Sequence, residues 1–417
     1  MKEVQRTRYL NQLIRHKHNG LIKIISGVRR CGKSYLLSEL FKTHLLACGV
    51  LERRIIYLPL DDFINRQYRQ PEACYHYVKS RILDNEMHYL LLDEVQMMEG
   101  FEDVLNGFLH IKNLDVYVTG SNSKFLSTDI VTEFRGRGDE IRVYPLNFAE
   151  YYSVAGEDWA AAWETYCRYG GMPALLMFQT GEDKARYLQN LYKETYLKDM
   201  IARNRIQHSN ELDELLSVIA SSIGGLLNPQ KLADTFKSKK SSLSAPTIKQ
   251  YLSYLQESFL IDKALRYDIK GRKYISTPAK YYFTDIGLRN AKLDFRQQEE
   301  THIMENIIFN ELNVRGYNTD VGVLELSERD EAGVRVEKKV EVDFVVNKGD
   351  KRCYIQSAYS LPTLEKRQQE ERPLINIGDA FKKIIIIGGS KQPSYDENGV
   401  LIMGIKEFLL DEDALDL

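Results

Sequence analysis

The chain alternates short apolar runs with polar turns and segments of helical period. Residues 21–26 (Leu-Ile-Lys-Ile-Ile-Ser), 54–60, 88–92, 115–120 and 140–146 are brief and rich in aliphatic and β-branched side chains, which predicts five buried strands. Between them apolar positions recur at helical spacing, as in 35–41 directly after the first run. Strands alternating with helices predict an α/β fold with a parallel sheet and a site at the carboxyl ends of the strands. Residues 147–215 keep helical spacing and carry many aromatics, among them Trp159, Trp163 and Tyr166, which read as core. From 216 to 293 the pattern changes. A short helix entered at Pro229, a polar turn over 237–242 and a second helix over 244–255 precede two strands around Phe259 and Tyr282, which flank a basic tip at 270–273. That order predicts a helix–turn–helix followed by a two-stranded wing. Beyond 294 a helix over 301–312 leads to paired strands at 340–346 and 353–359 and a buried strand at 381–388, with 325–333 as an exposed hairpin loop.

Candidate chemistry sits at the ends of the first strands. The run 21–26 is followed by Gly27-Val28-Arg29-Arg30-Cys31-Gly32-Lys33-Ser34 and then a helix, which is GxxxxGKS in strand–loop–helix context. Glycines let the backbone wrap phosphates, and successive N–H groups with the helix N-terminus form an anion nest. The Lys33 ammonium can reach the β- and γ-phosphates of ATP, and the Ser34 hydroxyl can ligate Mg²⁺. Gly27, Arg30, Cys31, Gly32, Lys33, Ser34 and Tyr35 are the candidate cofactor-binding residues. The run 88–92 ends in Asp93-Glu94, where Asp93 suits the Mg²⁺ shell and Glu94 the polarisation of an attacking water. Asp61 and Asp62 close another strand near the same place.

Bulk properties narrow the setting. At 417 residues the chain predicts two to four domains, and 43% hydrophobic with 28% charged residues is an ordinary globular composition. The net charge of −2 excludes a uniformly basic protein, yet residues 216–293 hold a local excess of Lys and Arg that suits phosphate contacts. Thr247, Lys249, Gln250, Arg272 and Lys273 are the candidate DNA-binding residues. Five scattered cysteines without a CxxC pair point to a reducing compartment and away from zinc. No run approaches the roughly 18 apolar residues of a membrane span, and the charged start predicts a cytoplasmic location.

Together, the glycine-rich loop, Asp93-Glu94-Val95-Gln96, Thr119-Gly120-Ser121-Asn122-Ser123 and Gly136-Arg137…Tyr144-Pro145-Leu146 resemble a prokaryotic AAA+ ATPase family of the AAA_14/DUF4143 type. The resemblance implies Ser121 or Asn122 as a sensor of the γ-phosphate. It implies Arg137, with Arg135 as runner-up, as an arginine finger offered to a neighbouring subunit. The turn Gly170-Gly171-Met172-Pro173 resembles the place where such lids meet adenine, with Pro173 against the nucleotide, and no sensor 2 arginine follows it. The carboxy-terminal pattern resembles PD-(D/E)xK nucleases, with Glu305, Asp343 and Gln356 at the matching places and Ala358 where the lysine belongs. Lys366 and Lys382 are the nearby cations, and the site reads as a degenerate nuclease site.

The expected organisation is therefore an AAA+ core over 1–146, a helical lid over 147–215, a winged helix over 216–293 and an inactive nuclease-like domain over 294–417. The expected function is Mg-dependent ATP hydrolysis in a ring-forming homo-oligomer, such as a hexamer, that works on DNA. The alternative is a switch-type NTPase that gates a protein partner.

Overall fold

A computed structural model of the protein describes residues 3–120, 136–238, 243–329 and 335–416. The chain forms two compact units: Met1–Leu146 with Met172–Ala174 and Glu257–Leu260, and Asn147–Gly171 with Leu175–Gln256 and Ile261–Leu417. No helix among the described residues is long and apolar enough to cross a membrane.

The first unit is built on a parallel sheet of order β2-β3-β4-β1-β5. Its strands are β1 (Ile22–Ser26), β2 (Ile55–Pro59), β3 (His88–Asp93), β4 (Leu114–Thr119) and β5 (Gly138–Arg142). Every residue of β1, β3 and β4 is buried, which is why they read as mainly apolar runs rather than alternations; the buried charges Lys23 of β1 and Asp115 of β4 pair with each other. Helix α1 (Thr7–Arg15) precedes β1, a helical stretch over 33–47 (α2) follows it, and α3 (Pro71–Arg81) and α4 (Phe101–Phe108) make the later crossings. On one face Ile24, Leu58, Leu90 and Val116 pack with Phe101, Leu105 and Phe108. The strand expected over 140–146 pairs only from Gly138 to Arg142; Val143 N–H still donates to Ser26 O at 2.8 Å, and the chain leaves the sheet before Pro145. Because β4 lies between β1 and β3, the tip of β4 falls between the glycine-rich loop and the Asp93-Glu94 pair.

The second unit starts with α5 (Phe148–Ala155), capped by Asn147 and Glu150, and α6 (Trp159–Tyr169). The Phe148 ring lies 4.8 Å from Trp159, 5.6 Å from Trp163 and 5.3 Å from Tyr166, an aromatic core. Helices α7 (Gly181–Asn190), α8 (Lys198–Asn204) and α9 (Ser209–Ser221) lead to the helix pair α10 (Pro229–Ser238) and α11 (Ala245–Glu257). The expected hairpin follows as β6 (Ile261–Asp268) and β7 (Lys273–Phe283). After α12 (Ile286–Lys292) and α13 (Glu300–Val314) come β8 (Asn318–Arg329), β9 (Arg335–Lys348), β10 (Lys351–Ala358), α14 (Leu364–Ile375), β11 (Lys382–Ile387), β12 (Ser394–Tyr395), β13 (Leu401–Gly404) and α15 (Ile405–Leu410).

These strands form one sheet of order β12-β13-β11-β10-β9-β8-β6-β7. The wing hairpin is thus part of the carboxy-terminal sheet, through parallel pairing of Arg266, Tyr267 and Asp268 with Val321, Gly322 and Val323, and the sheet runs across the boundary expected at 293/294. The stretch expected as a loop at 325–333 is strand up to Arg329, because Glu325–Arg329 pair with Lys339–Arg335 and extend the hairpin.

A buried polar knot at α12 holds the second unit together. Asp285 caps the helix by accepting from Leu288 N–H at 3.0 Å and also accepts from Gly171 N–H at 2.8 Å. Asn290 Nδ2 donates to Cys167 O and Arg168 O, both at 2.9 Å. Gly287 passes so near Tyr169 that an added Cβ would lie 1.8 Å from its carbonyl oxygen. Arg289, counted in the basic excess by sequence, is fully buried and donates to Ala220 O at 2.7 Å.

Burial pushes the Asp285 carboxyl up to about 6, from an ordinary value of 3.8. A carboxyl that binds its proton more tightly when folded gives its full contribution below pH 4 and loses it as the pH rises through 6. The stability of the parent relative to Asp285→Asn should therefore fall by up to about 3 kcal/mol between pH 4 and 7. Chemical denaturation of both proteins across that range measures it, and parallel pH profiles would contradict it.

Candidate nucleotide site

The glycine-rich loop leaves β1 at Ser26 and turns through left-handed backbone. Gly27 has φ 139°, and a Cβ there would lie 2.1 Å from Val143 O, so the position admits only glycine. Arg30 and Gly32 follow at φ 68° and 99°, and Gly32 opens the helix that begins at Lys33. Cys31 is buried, with its thiol donating to Val143 O at 3.3 Å. Lys33 lies across the loop, its Nζ donating to Gly27 O at 2.9 Å and Val28 O at 3.0 Å. Two loop carbonyls thus hold the ammonium beside a helix N-terminus, the end of a helix that favours an anion.

Opposite it stand the two acids. Asp93 is only 3% exposed, and burial pushes its carboxyl above the ordinary range, against the pull of the Thr119 and Ser34 hydroxyls. Tyr57 OH also donates to Asp93, at 3.4 Å. Glu94 adopts φ 53°, ψ 48°, a left-handed conformation that costs a non-glycine residue about 1–3 kcal/mol. It is held by Thr119: the hydroxyl accepts from Glu94 N–H at 2.9 Å and donates to Asp93 Oδ1. The Gln96 amide donates to Glu94 Oε2. Thr119 is the residue sequence reasoning missed; its signal was a hydroxyl side chain as the last residue of the middle strand.

Other candidates are placed as follows. Ser121, Asn122 and Arg135 lie outside the described residues. Pro173 belongs to the same unit, and its ring lies 3.8 Å from where a Gly32 Cβ would sit. Tyr35 is 39% exposed and its hydroxyl bonds Glu3. Arg137 precedes β5 beside Ile22, at the end of the sheet opposite the loop, and its Nη1 donates to Asn106 Oδ1 at 3.5 Å.

In the second unit Thr247 is half-buried and bonded to Ser244, while Lys249 and Gln250 are exposed on α11 and Arg272 and Lys273 at the hairpin turn. The basic excess is smaller at the surface than in the sequence, since Lys280 and Arg289 are buried and Lys292 is paired with Asp213 at 2.6 Å.

Glu305, Asp343 and Gln356 are brought together, and the expectation that Lys366 and Lys382 are the nearby cations is corrected in part, since Lys366 stands one residue away, reaching Gln356 through Glu370, and Lys382 is turned elsewhere. Lys382 donates to Leu415 O at 3.0 Å and Lys366 pairs with Glu370. The cation in the cluster is Lys280 of β7, whose Nζ lies 2.9 Å from Glu305, 2.7 Å from Glu341 and 3.9 Å from Asp343. Tyr282 OH donates to Glu305 at 2.6 Å, Ser357 N–H donates to Asp343 at 2.8 Å, and Gln356 Nε2 donates to Glu370 at 3.1 Å. Burial alone would lower the Lys280 pKa, but the three carboxylates outweigh it and hold the ammonium protonated. Burial and the Glu305 carboxylate push Asp343 well above the usual carboxylate range.

With this geometry in view, residues 19–152 match the family model AAA domain (AAA_14), and the first unit is a P-loop domain of the AAA class. An uncharacterized protein of Haemophilus influenzae is 32% identical over 98% of this chain and 98% of its own, and the chain belongs to that protein's family. An uncharacterized protein of Methanocaldococcus jannaschii, MJ1544, is 25% identical over 84% of this chain and 77% of its own. Residues 160–299 match a domain of unknown function, DUF8612, where sequence reading expected the DUF4143 type. Among solved structures, Cdc6p of Pyrobaculum aerophilum is similar at 12% identity over 74% of this chain and 96% of that chain (TM-score 0.31). AMPPCP-bound DnaA of Aquifex aeolicus is similar at 14% identity over 62% and 89% (TM-score 0.31). Likeness of that degree identifies no activity or partner for this chain.

The Lys280 cluster makes a stability prediction. Lys280→Met removes the ammonium that faces Glu305, Glu341 and Asp343 and should destabilise the second unit by about 3–5 kcal/mol at neutral pH, with a smaller loss as the pH falls toward 4.5 and Glu305, no longer held low by Lys280, takes up a proton. Denaturant unfolding at pH 4.5 and 7.5 checks this, and a variant as stable as the parent at both would contradict it.

Proposed function

We propose that the first unit binds ATP with Mg²⁺ and hydrolyses it, and that the chain works as a DNA-associated ring. The observation that carries the first half is the meeting of Lys33, held by its two loop carbonyls, with the Asp93–Thr119–Glu94 knot, the Ser34 hydroxyl being hydrogen-bonded to Asp93. A buried carboxylate beside a hydroxyl is a hard-oxygen pair that fits Mg²⁺, so Ser34 and Asp93 would hold the ion, and its charge would offset that of the phosphates. Lys33 would bind the β- and γ-phosphates. Glu94, aimed by its backbone bond to Thr119, would orient the water and take its proton. Pro173 would stand at the base end of the nucleotide, and Ser121 or Asn122 near the γ-phosphate.

Arg137 supports assembly in this reading. Placed at the far end of its own sheet from its own loop, it could serve only a neighbour's γ-phosphate. Exposed Lys249, Arg272 and Lys273, on a helix–turn–helix with a hairpin, support contact with DNA phosphates. Residues 147–215 would serve as the lid, and the Glu305–Asp343 cluster would be a nuclease-like site that does not cut. One observation favours a switch instead: the Gln96 amide occupies a Glu94 carboxylate oxygen and would restrain the base until a partner releases it.

ATP binding and turnover by the parent, Lys33→Ala and Glu94→Gln, with and without duplex, single-stranded and branched DNA, test this. Lys33→Ala should lose tight binding. Glu94→Gln should bind normally and turn over about a hundredfold or more slowly. Turnover per subunit should rise with protein concentration and with DNA. Full turnover in Glu94→Gln would overturn the assignment of the base, and a rate indifferent to every DNA would favour the switch.

A further inference from the structure

Over one face of the eight-stranded sheet the β6–β7 turn, the β9–β10 turn and the segment between α14 and β11 surround a cleft of about 550 Å³. Its size is that of a small-molecule site. The floor is apolar, formed by Ile269, Leu324 and Ile377, all buried. One wall is a stack: the Arg352 guanidinium lies 5.3 Å from the centre of the Tyr267 ring and 5.4 Å from that of Phe381. Arg352 Nε donates to Asn347 Oδ1 at 2.7 Å, which fixes the plane of the guanidinium. Tyr267 is buried, but Phe381 is 43% exposed, so the stack ends in an aromatic face open to a ligand.

The charges around the cleft favour an anion. Four lining side chains are basic (Lys270, Arg272, Lys351, Arg352) and two are acidic (Asp350, Asp379). Asp379 is engaged by Tyr354 OH at 2.6 Å and by Phe381 N–H at 3.2 Å. Lys351 is paired with Asp416 and Lys270 bonds Glu325 O, so each is partly satisfied within the protein. Arg272 is exposed, stands at φ 50° in the tight turn, and has no ion-pair or hydrogen-bond partner among the described residues. The lining glycines Gly349 and Gly378 have nothing within 4 Å of an added Cβ, so the cleft is open beside them.

A ligand for this site needs a flat face for the stack, an anionic group for Arg272 and enough bulk to cover the apolar floor. An aliphatic anion leaves the stack and floor uncovered, and a cation meets four basic side chains. We propose that the cleft is a second nucleotide site, distinct from the P-loop, which takes a nucleoside monophosphate with its base on Phe381 and its phosphate at Arg272. The nucleotide is either free or one unit of a single strand. Only the strand arm rests on the reading of this chain as a DNA-associated protein.

The test uses the full chain carrying Lys33→Ala, so that the P-loop contributes nothing, with thymidine 5′-monophosphate and a fluorescent ten-residue oligothymidylate as probes. Phe381→Ala and Arg272→Ala should each weaken binding about tenfold or more, in keeping with the loss of one stacked base or one phosphate contact, and Phe381→Tyr should keep it. Binding of the monophosphate with this pattern identifies a free nucleotide as ligand, and binding of the oligonucleotide alone with this pattern identifies a single strand. Oligonucleotide binding that Phe381→Ala leaves unchanged would overturn the cleft while leaving DNA association intact, and binding of neither probe would overturn it outright. Phe381 is a partly exposed ring at the cleft mouth, so its loss should leave ATP turnover without added DNA as it was in the otherwise unaltered chain.

Discussion

The candidate nucleotide site of the first unit depends on one hydroxyl. Thr119, at the tip of β4, donates a hydrogen bond to Asp93 and accepts one from the backbone N–H of Glu94, so a single side chain fixes the position of one acid and the direction of the next. The bond exists only because β4 runs between β1 and β3, which places its tip between the glycine-rich loop and the acids. It also bears on cost. Asp93 is buried and Glu94 is held in left-handed backbone, and both are unfavourable without a donor and an acceptor at that point.

A comparable dependence shapes the second unit. The β6–β7 hairpin would be a free wing if it ended with its own two strands, yet it pairs with β8 and sends Lys280 in among the carboxylates of α13 and β9. The ammonium offsets charges that burial would otherwise make very costly, and it ties the hairpin to the sheet. A few residues farther along the chain the Asp285–Asn290 knot does the same for the helices, Asp285 accepting from backbone N–H groups and Arg289 and Asn290 donating to backbone carbonyls.

Much of this was legible in the sequence, for identifiable reasons. The parallel strands are buried, so β1, β3 and β4 announce themselves as mainly apolar runs, interrupted in β1 and β4 by Lys23 and Asp115, which pair with each other, and the glycine-rich loop is contiguous in sequence. The features that were not legible depend on partners far along the chain. Ser121 and Asn122, expected near the γ-phosphate, lie outside the described residues, whereas Thr119, which bonds both acids, is revealed only by the strand order. Lys280 reaches Glu305 from 25 residues away through a sheet that the helical pattern of the intervening segment conceals. Arg289 and Lys292 look like surface cations by composition, but Arg289 finds carbonyl acceptors inside the fold and Lys292 a carboxylate.

The most direct test of the central claim is ATP binding and turnover in Thr119→Val and Thr119→Ser. If one hydroxyl positions both acids, Thr119→Val should bind Mg-ATP yet turn over at least about tenfold more slowly, and Thr119→Ser should recover most of the rate. Turnover at the parent rate in Thr119→Val would contradict the account.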